Sequence, residues 1–105
     1  MLLATETDSL PVIERNVEQH GKDEIIVIVY EKKDCYTYSI QCRLGSFVRS
    51  VYPHSITAAY PTARAAKYAA TLEIRQWTKK SRAAKNRLQH FNLLRLYHPE
   101  LPFGF

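Results

Sequence analysis

The sequence predicts an α+β fold: an antiparallel three- or four-stranded meander packed against a C-terminal helical pair, with room for a short N-terminal helix. Two observations carry this expectation. Residues 25–52 run apolar or alternate with period two and are punctuated by short polar turns, as strands do. Residues 62–97 contain neither Gly nor Pro and repeat their apolar side chains at helical spacing. A chain of 105 residues is expected to form one domain, here over 9–97, with a flexible N-terminus over 1–8 and an apolar tail, HPELPFGF, over 98–105.

Each element has its own signal. SLPVIERNVEQH (9–20) offers a cap at Asp8 or Ser9, an early Pro11, and Val12, Ile13 and Val17 at helical spacing, which predicts a short helix ending at Gly21. Ile25–Glu31 is apolar on both faces and β-branched, as a central strand is. Glu31 to Asp34 form a polar tip. Along Cys35–Leu44, Tyr36, Tyr38, Ile40, Cys42 and Leu44 point one way, and Thr37, Ser39, Gln41 and Arg43 point to water. Gly45-Ser46 suits a two-residue hairpin, which would place Leu44 opposite Phe47, Cys42 opposite Arg49 and Ile40 opposite Val51. Pro53 ends that strand, and Ile56–Tyr60 offers one more.

Thr62 reads as the N-cap of a long helix. On a helical wheel Ala65, Ala66, Tyr68, Ala69, Ala70, Leu72, Ile74 and Trp77 form a wide apolar arc. Glu73 falls inside it, as a half-buried partner for Lys80 or the next helix. Arg64, Lys67, Thr71, Arg75, Thr78 and Lys79 form the exposed stripe. One unbroken helix from Thr62 to Tyr97 would be ~54 Å long, more than so small a domain can cover. A break near Thr78–Ser81 is therefore expected, with Trp77 in the elbow. Ser81 would then cap a second helix whose inner face is Ala84, Leu88, Phe91 and Leu94.

Charge is divided unevenly. Residues 1–34 carry four basic and eight acidic side chains, whereas the segment from Arg43 to Arg95 carries eleven basic residues and one acid, Glu73. Such a density favours encounter with a polyanion. Cations and hydroxyls on one helix face are the groups that contact phosphates. The expected nucleic-acid-binding residues are Arg64, Lys67, Arg75, Lys79, Lys80, Arg82, Lys85 and Arg87, with Arg43 on the sheet. The expected partner is DNA or RNA. An alternative is a protein-interaction or homodimerisation module, which would engage an acidic or apolar protein through Phe91, Leu94, Tyr97, Phe103 and Phe105.

Catalytic and metal chemistry have little to stand on. His20, His54, His90 and His98 lie in different elements without ligand spacing, and no glycine-rich phosphate loop or nucleophile elbow is present. No catalytic residue, metal site or cofactor is assigned, and a binding module is expected rather than an enzyme. Cys35 and Cys42 sit an odd number of residues apart on one strand, hence on opposite faces, and suit a reducing, cytoplasmic setting. The longest apolar run, Ile25 to Tyr30, is too short to span a membrane.

The run YTYSIQCRLGSFVRSVYPHSITAAYPTARAAKYAATLEI, strands followed by a Thr-capped, Ala-rich helix, resembles two nucleic-acid modules in element order. One is the three-stranded-sheet DNA-binding domain of the plant AP2 and integrase N-terminal type. That resemblance implies that Arg43, Gln41 and Ser39 face the major groove. The other is the double-stranded-RNA-binding domain, whose last helix opens with lysines where TARAAK stands here. Its loop histidine motif has no counterpart between Glu31 and Asp34. The likeness covers about forty residues, rests on generic features, and assigns the chain to neither family.

Overall fold

In a computed structural model, which describes residues 10–53 and 59–95, four strands form one antiparallel sheet in the order β1-β2-β3-β4. They are β1 (Val12–His20), β2 (Asp23–Lys32), β3 (Cys35–Leu44) and β4 (Phe47–Val51). Helices α1 (Ala63–Thr78), α2 (Arg82–Leu88) and the single turn α3 (Asn92–Arg95) follow. The architecture is the α+β meander and helical pair that the pattern predicts. The expectations for 1–8, for 98–105, for Tyr97 and for most of the strand over 56–60 lie outside the described residues. Of that last strand the described part is Ala59 and Tyr60, and Tyr60 bridges Tyr36 through two backbone hydrogen bonds.

The N-terminal helix is a correction: Val12–His20 is a strand, paired along its length with β2. The β-branched Val12, Ile13 and Val17 favour a strand, and β2 offers a ladder of backbone partners broken only by an irregularity between Val12 and Glu14, so tertiary pairing overrides the helical spacing. Gly21 has the positive φ (62°) of a helix C-cap but spends it on a two-residue β-turn joining His20 to Asp23. The next turn, Lys33-Asp34, has positive φ at both residues (45° and 64°), the arrangement of a type I′ hairpin. The β3–β4 hairpin has the expected register, Leu44 with Phe47, Cys42 with Arg49 and Ile40 with Val51.

The core lies between the sheet and α1. Ile25, Val27 and Val29 from β2 and Tyr38, Ile40, Cys42 and Leu44 from β3 meet Ala66, Ala70 and Ile74, with Ala84, Leu88, Phe91 and Leu93 closing one end. Alanines at 66 and 70 let the helix backbone approach the sheet closely. The buried stripe of α1 also takes in Lys67, Thr71 and Thr78, while Leu72 is 41% exposed. The helix is thus rotated from the orientation its apolar arc suggests, because small residues, rather than the largest apolar ones, fit against the sheet.

The break after Thr78 falls where expected, and Ser81 caps α2 by accepting from the Ala84 N–H. The second helix is shorter than its pattern suggests. It ends at Leu88, and α3, which begins at Asn92, is capped by Glu18 of β1, whose two carboxylate oxygens accept the N–H groups of Asn92 (2.8 Å) and Leu93 (2.7 Å). Beneath the sheet, the outer face of β3 is drier than its alternation implies. Thr37 is fully buried and Ser39 nearly so, the latter bonded to the Tyr30 hydroxyl.

Candidate nucleic-acid interface

The acidic N-terminal third and the basic helical half interlock rather than simply face one another. Glu14 of β1 accepts from the Lys67 ammonium at 2.7 Å, and Lys67, 7% exposed, is spent in that pair. Asp23, at the start of β2, accepts from the Arg87 guanidinium and from the Gly45 N–H. Glu24 lies across from Arg43 at 3.8 Å. Glu18 serves α3 and His20, whose ring stands edge-on to Phe91. Glu73 accepts from the Tyr38 hydroxyl on the sheet, in place of the expected Lys80 or a neighbouring helix.

These environments set the titration of the groups concerned. Burial works to raise the Asp23 carboxyl, but the Gly45 N–H and the Arg87 guanidinium outweigh it and hold the group below the usual carboxylate range. Glu18 is likewise lowered: burial opposes, and the bonds from Asn92, His20 and Leu93 prevail. The Tyr38 phenol is pushed well above its ordinary range by burial and then by Glu73. Burial, with a smaller contribution from Asp23, pushes the Cys42 thiol up to about 11, so it is protonated at neutral pH. Cys35 lies half-buried on the opposite face and donates to the Lys32 carbonyl.

Several outward cations stand at the α1–α2 elbow, while Arg15, Lys22, Lys32 and Lys33 are exposed elsewhere, on the strands and their turns. Arg75 comes from the last turn of α1, Lys79 from its C-cap, Lys80 from the turn, and Arg82 and Lys85 from α2. Lys79, Lys80, Arg82 and Lys85 are exposed and have no ion-pair partner among the described residues. Arg49 of β4 joins them, its guanidinium 5.0 Å from the centre of the Trp77 ring. Sequence reasoning passed over Arg49. Its signal was a cation at an inward-facing strand position, which has to reach past the sheet edge towards a helix.

The other expected residues are dispersed. Arg64 is exposed near the start of α1, Arg43 sits on the far face of the sheet beside Glu24, and Arg87 is tied to Asp23. The stripe hydroxyls are also internal: Thr71 donates to the Tyr68 carbonyl, and Thr78 to the carbonyls of Ile74 and Arg75. Of the expected protein-contact residues, Phe91 is in the core at 1% exposure. Leu94 belongs to α3. Phe103 and Phe105 are not among the described residues. The far face of the sheet, in contrast, exposes Val12, Val17, Val48 and Tyr52.

Between the arms of the elbow lies a cleft of about 480 Å³, lined by Arg75, Thr78, Lys79, Lys85, Leu88, Gln89 and Phe91. Arg75, Lys79 and Lys85 bring cations to it, whereas Leu88, Phe91 and Thr78 border it from the core and are almost fully buried. Among the described residues no group of three or more His, Cys, Asp or Glu side chains is placed to hold a metal ion, and no helix is long and apolar enough to cross a membrane. Comparison with protein-family models, with curated proteins and with solved structures finds no match to this chain. The class that the geometry defines is an α+β chain with a basic interhelical elbow, and the functional reading rests on that elbow.

Proposed function

We propose that the chain is a nucleic-acid-binding module, acting as an accessory or regulatory protein rather than an enzyme, and that it binds through the α1–α2 elbow. One observation carries the reading. The carboxylates of Glu14, Glu18, Asp23, Glu24 and Glu73 are engaged within the fold, whereas Lys79, Lys80, Arg82 and Lys85 are exposed and have no ion-pair partner among the described residues. Like charges crowded this closely destabilise the free protein, and a polyanion relieves that repulsion on binding. Lysines present point charges to phosphate, while Arg82 adds a planar fork for bidentate contact.

The test is a salt titration of binding to duplex DNA, duplex RNA and single strands, followed by the emission of Trp77, the chain's one tryptophan. Four phosphate contacts would give a log–log slope of about −3.6 on duplex DNA and about −2.8 on single strands. Replacing Lys79, Lys80, Arg82 and Lys85 together by Ala is expected to abolish most of the slope. Binding that ignores salt, or a quadruple variant that binds as the parent does, overturns the reading.

A further inference from the structure

We infer that the free edge of β1 pairs with the same edge of a second copy, antiparallel about a twofold axis at Val17, so that two sheets join into one. The direction of the edge groups follows from the hairpins. In a two-residue hairpin the closing pair exchanges backbone hydrogen bonds, and bonded and non-bonded pairs then alternate along the ladder. The His20–Asp23 pair closes the β1–β2 turn, so Glu18, Asn16 and Glu14 bond to Ile25, Val27 and Val29. The Lys32–Cys35 pair closes the next turn, which commits Ile28, Ile26 and Glu24 to β3 and gives the same phase. The N–H and C=O groups of Arg15, Val17 and Gln19 therefore point away from the sheet. Among the described residues no further strand or backbone hydrogen bond meets them.

The two edges of the sheet differ. β4 has 5 residues and gives way to Pro53, as blunted edges do, whereas β1 has 9. β1 also exposes Val12, Ile13 and Val17, the last at 54%. Charge selects the register. An antiparallel copy has to bring the outward groups of Arg15, Val17 and Gln19 against one another, so the axis falls on a residue, and like charges directly opposite are destabilising. An axis at Glu14, Arg15 or Glu18 sets that charge against itself, and one at Asn16 sets Glu14 against the partner's Glu18. Among axes from Glu14 to Glu18, the one at Val17 alone avoids this. There Val17 meets the partner's Val17, Arg15 the partner's Gln19, Asn16 the partner's Glu18 and Glu14 the partner's His20. Gln19 donates its amide nitrogen to the Gly21 carbonyl, which leaves its amide oxygen to accept from the partner's Arg15. The irregularity between Val12 and Glu14, which would interrupt such pairing, lies just before this seam.

The seam from Glu14 to His20 shares no residue with the elbow, so the two readings fail independently. A contact this short is below the standard interface size, and association at ~10–100 µM is expected. Sedimentation velocity of the full chain over ~1–500 µM should show a monomer passing to a dimer. Val17→Arg sets two cations on the axis at an exposed position, and should weaken association at least about tenfold while leaving Tm unchanged. Amide hydrogen exchange should show Arg15, Val17 and Gln19 becoming protected as concentration rises, with Asn16 and Glu18 protected throughout. In a Cys35→Ser background, Val17→Cys should crosslink to a dimer under mild oxidation and Arg15→Cys should not, since the axial pair alone lies at the ~5.5 Å Cα separation that suits a disulfide. A monomer at every concentration, a dimer that Val17→Arg leaves intact, or crosslinking at position 15 rather than 17 overturns the inference. Protection of the three amides in the monomer also overturns it, by giving the edge to another segment of the same chain.

Discussion

Asp23 and Arg87, 64 residues apart in sequence, are joined by two hydrogen bonds of 2.9 and 3.1 Å from one guanidinium nitrogen to both carboxylate oxygens. The same carboxylate accepts the Gly45 N–H. One side chain at the start of β2 thus anchors α2, the farther arm of the elbow, and the β3–β4 turn together.

Acid should weaken this anchor. The folded-state carboxyls of Asp23 and Glu18 are lowered, so over the range beneath their ordinary values the unfolded chain binds more protons than the native one. Their stabilisation is complete at neutral pH, begins to fall near the ordinary carboxylate range at about pH 4–5, and is lost as the pH drops through the folded values. Asp23→Ala should reduce stability at pH 7 by about 2 kcal/mol and flatten this acid limb, as read by urea denaturation across pH. An unchanged limb would mean that other groups carry it.

Gly45→Ala should destabilise by about 1–2 kcal/mol, since its φ of 65° is one that side chains rarely adopt. An added Cβ would also come within 2.9 Å of the Arg87 Nε, so the Asp23 pair should loosen with it. Gly21, with a similar φ but open space around it, is the control: there an alanine meets the backbone penalty alone. Thermal unfolding of the two variants separates the contributions.

Thr37→Val should stabilise. The Thr37 hydroxyl is buried on β3 and has no hydrogen-bond partner among the described residues. Valine keeps the shape and the β-branching and removes the unsatisfied oxygen, for a gain of about 1 kcal/mol. In a chain of this size that is a rise in Tm of about 4–8 °C. A fall in Tm on this substitution would mean that the hydroxyl is satisfied in solution.

Two lysines should respond oppositely to the same change. Lys67→Ala removes a buried partner of Glu14 and should reduce stability by about 1–2 kcal/mol while leaving nucleic-acid affinity unchanged. Lys80→Ala should leave stability within about 0.5 kcal/mol of the parent and lower the salt slope of duplex binding by about 0.9. Denaturation and salt titration of both variants check the pair.

Much of the fold was legible because it depends on short-range pattern. The alternation from Tyr36 to Leu44, the Gly45-Ser46 turn with its register, the Thr62 and Ser81 caps and the break after Thr78 all follow from period, turn chemistry and the lack of Gly or Pro. The charge division was legible too. What tertiary structure decided were the questions that turn on a distant partner. Val12–His20 became a strand because β2 offered it a ladder, and α1 turned its alanines inward because they fit the sheet. The turn α3 after α2 is capped at Asn92 by Glu18, 74 residues away in sequence. Lys67, alike on a helical wheel to the cations of the elbow, was buried against Glu14, and Arg87, still half exposed, was tied to Asp23. A residue's charge is written in the sequence, but whether it faces water depends on which carboxylate the fold brings to it.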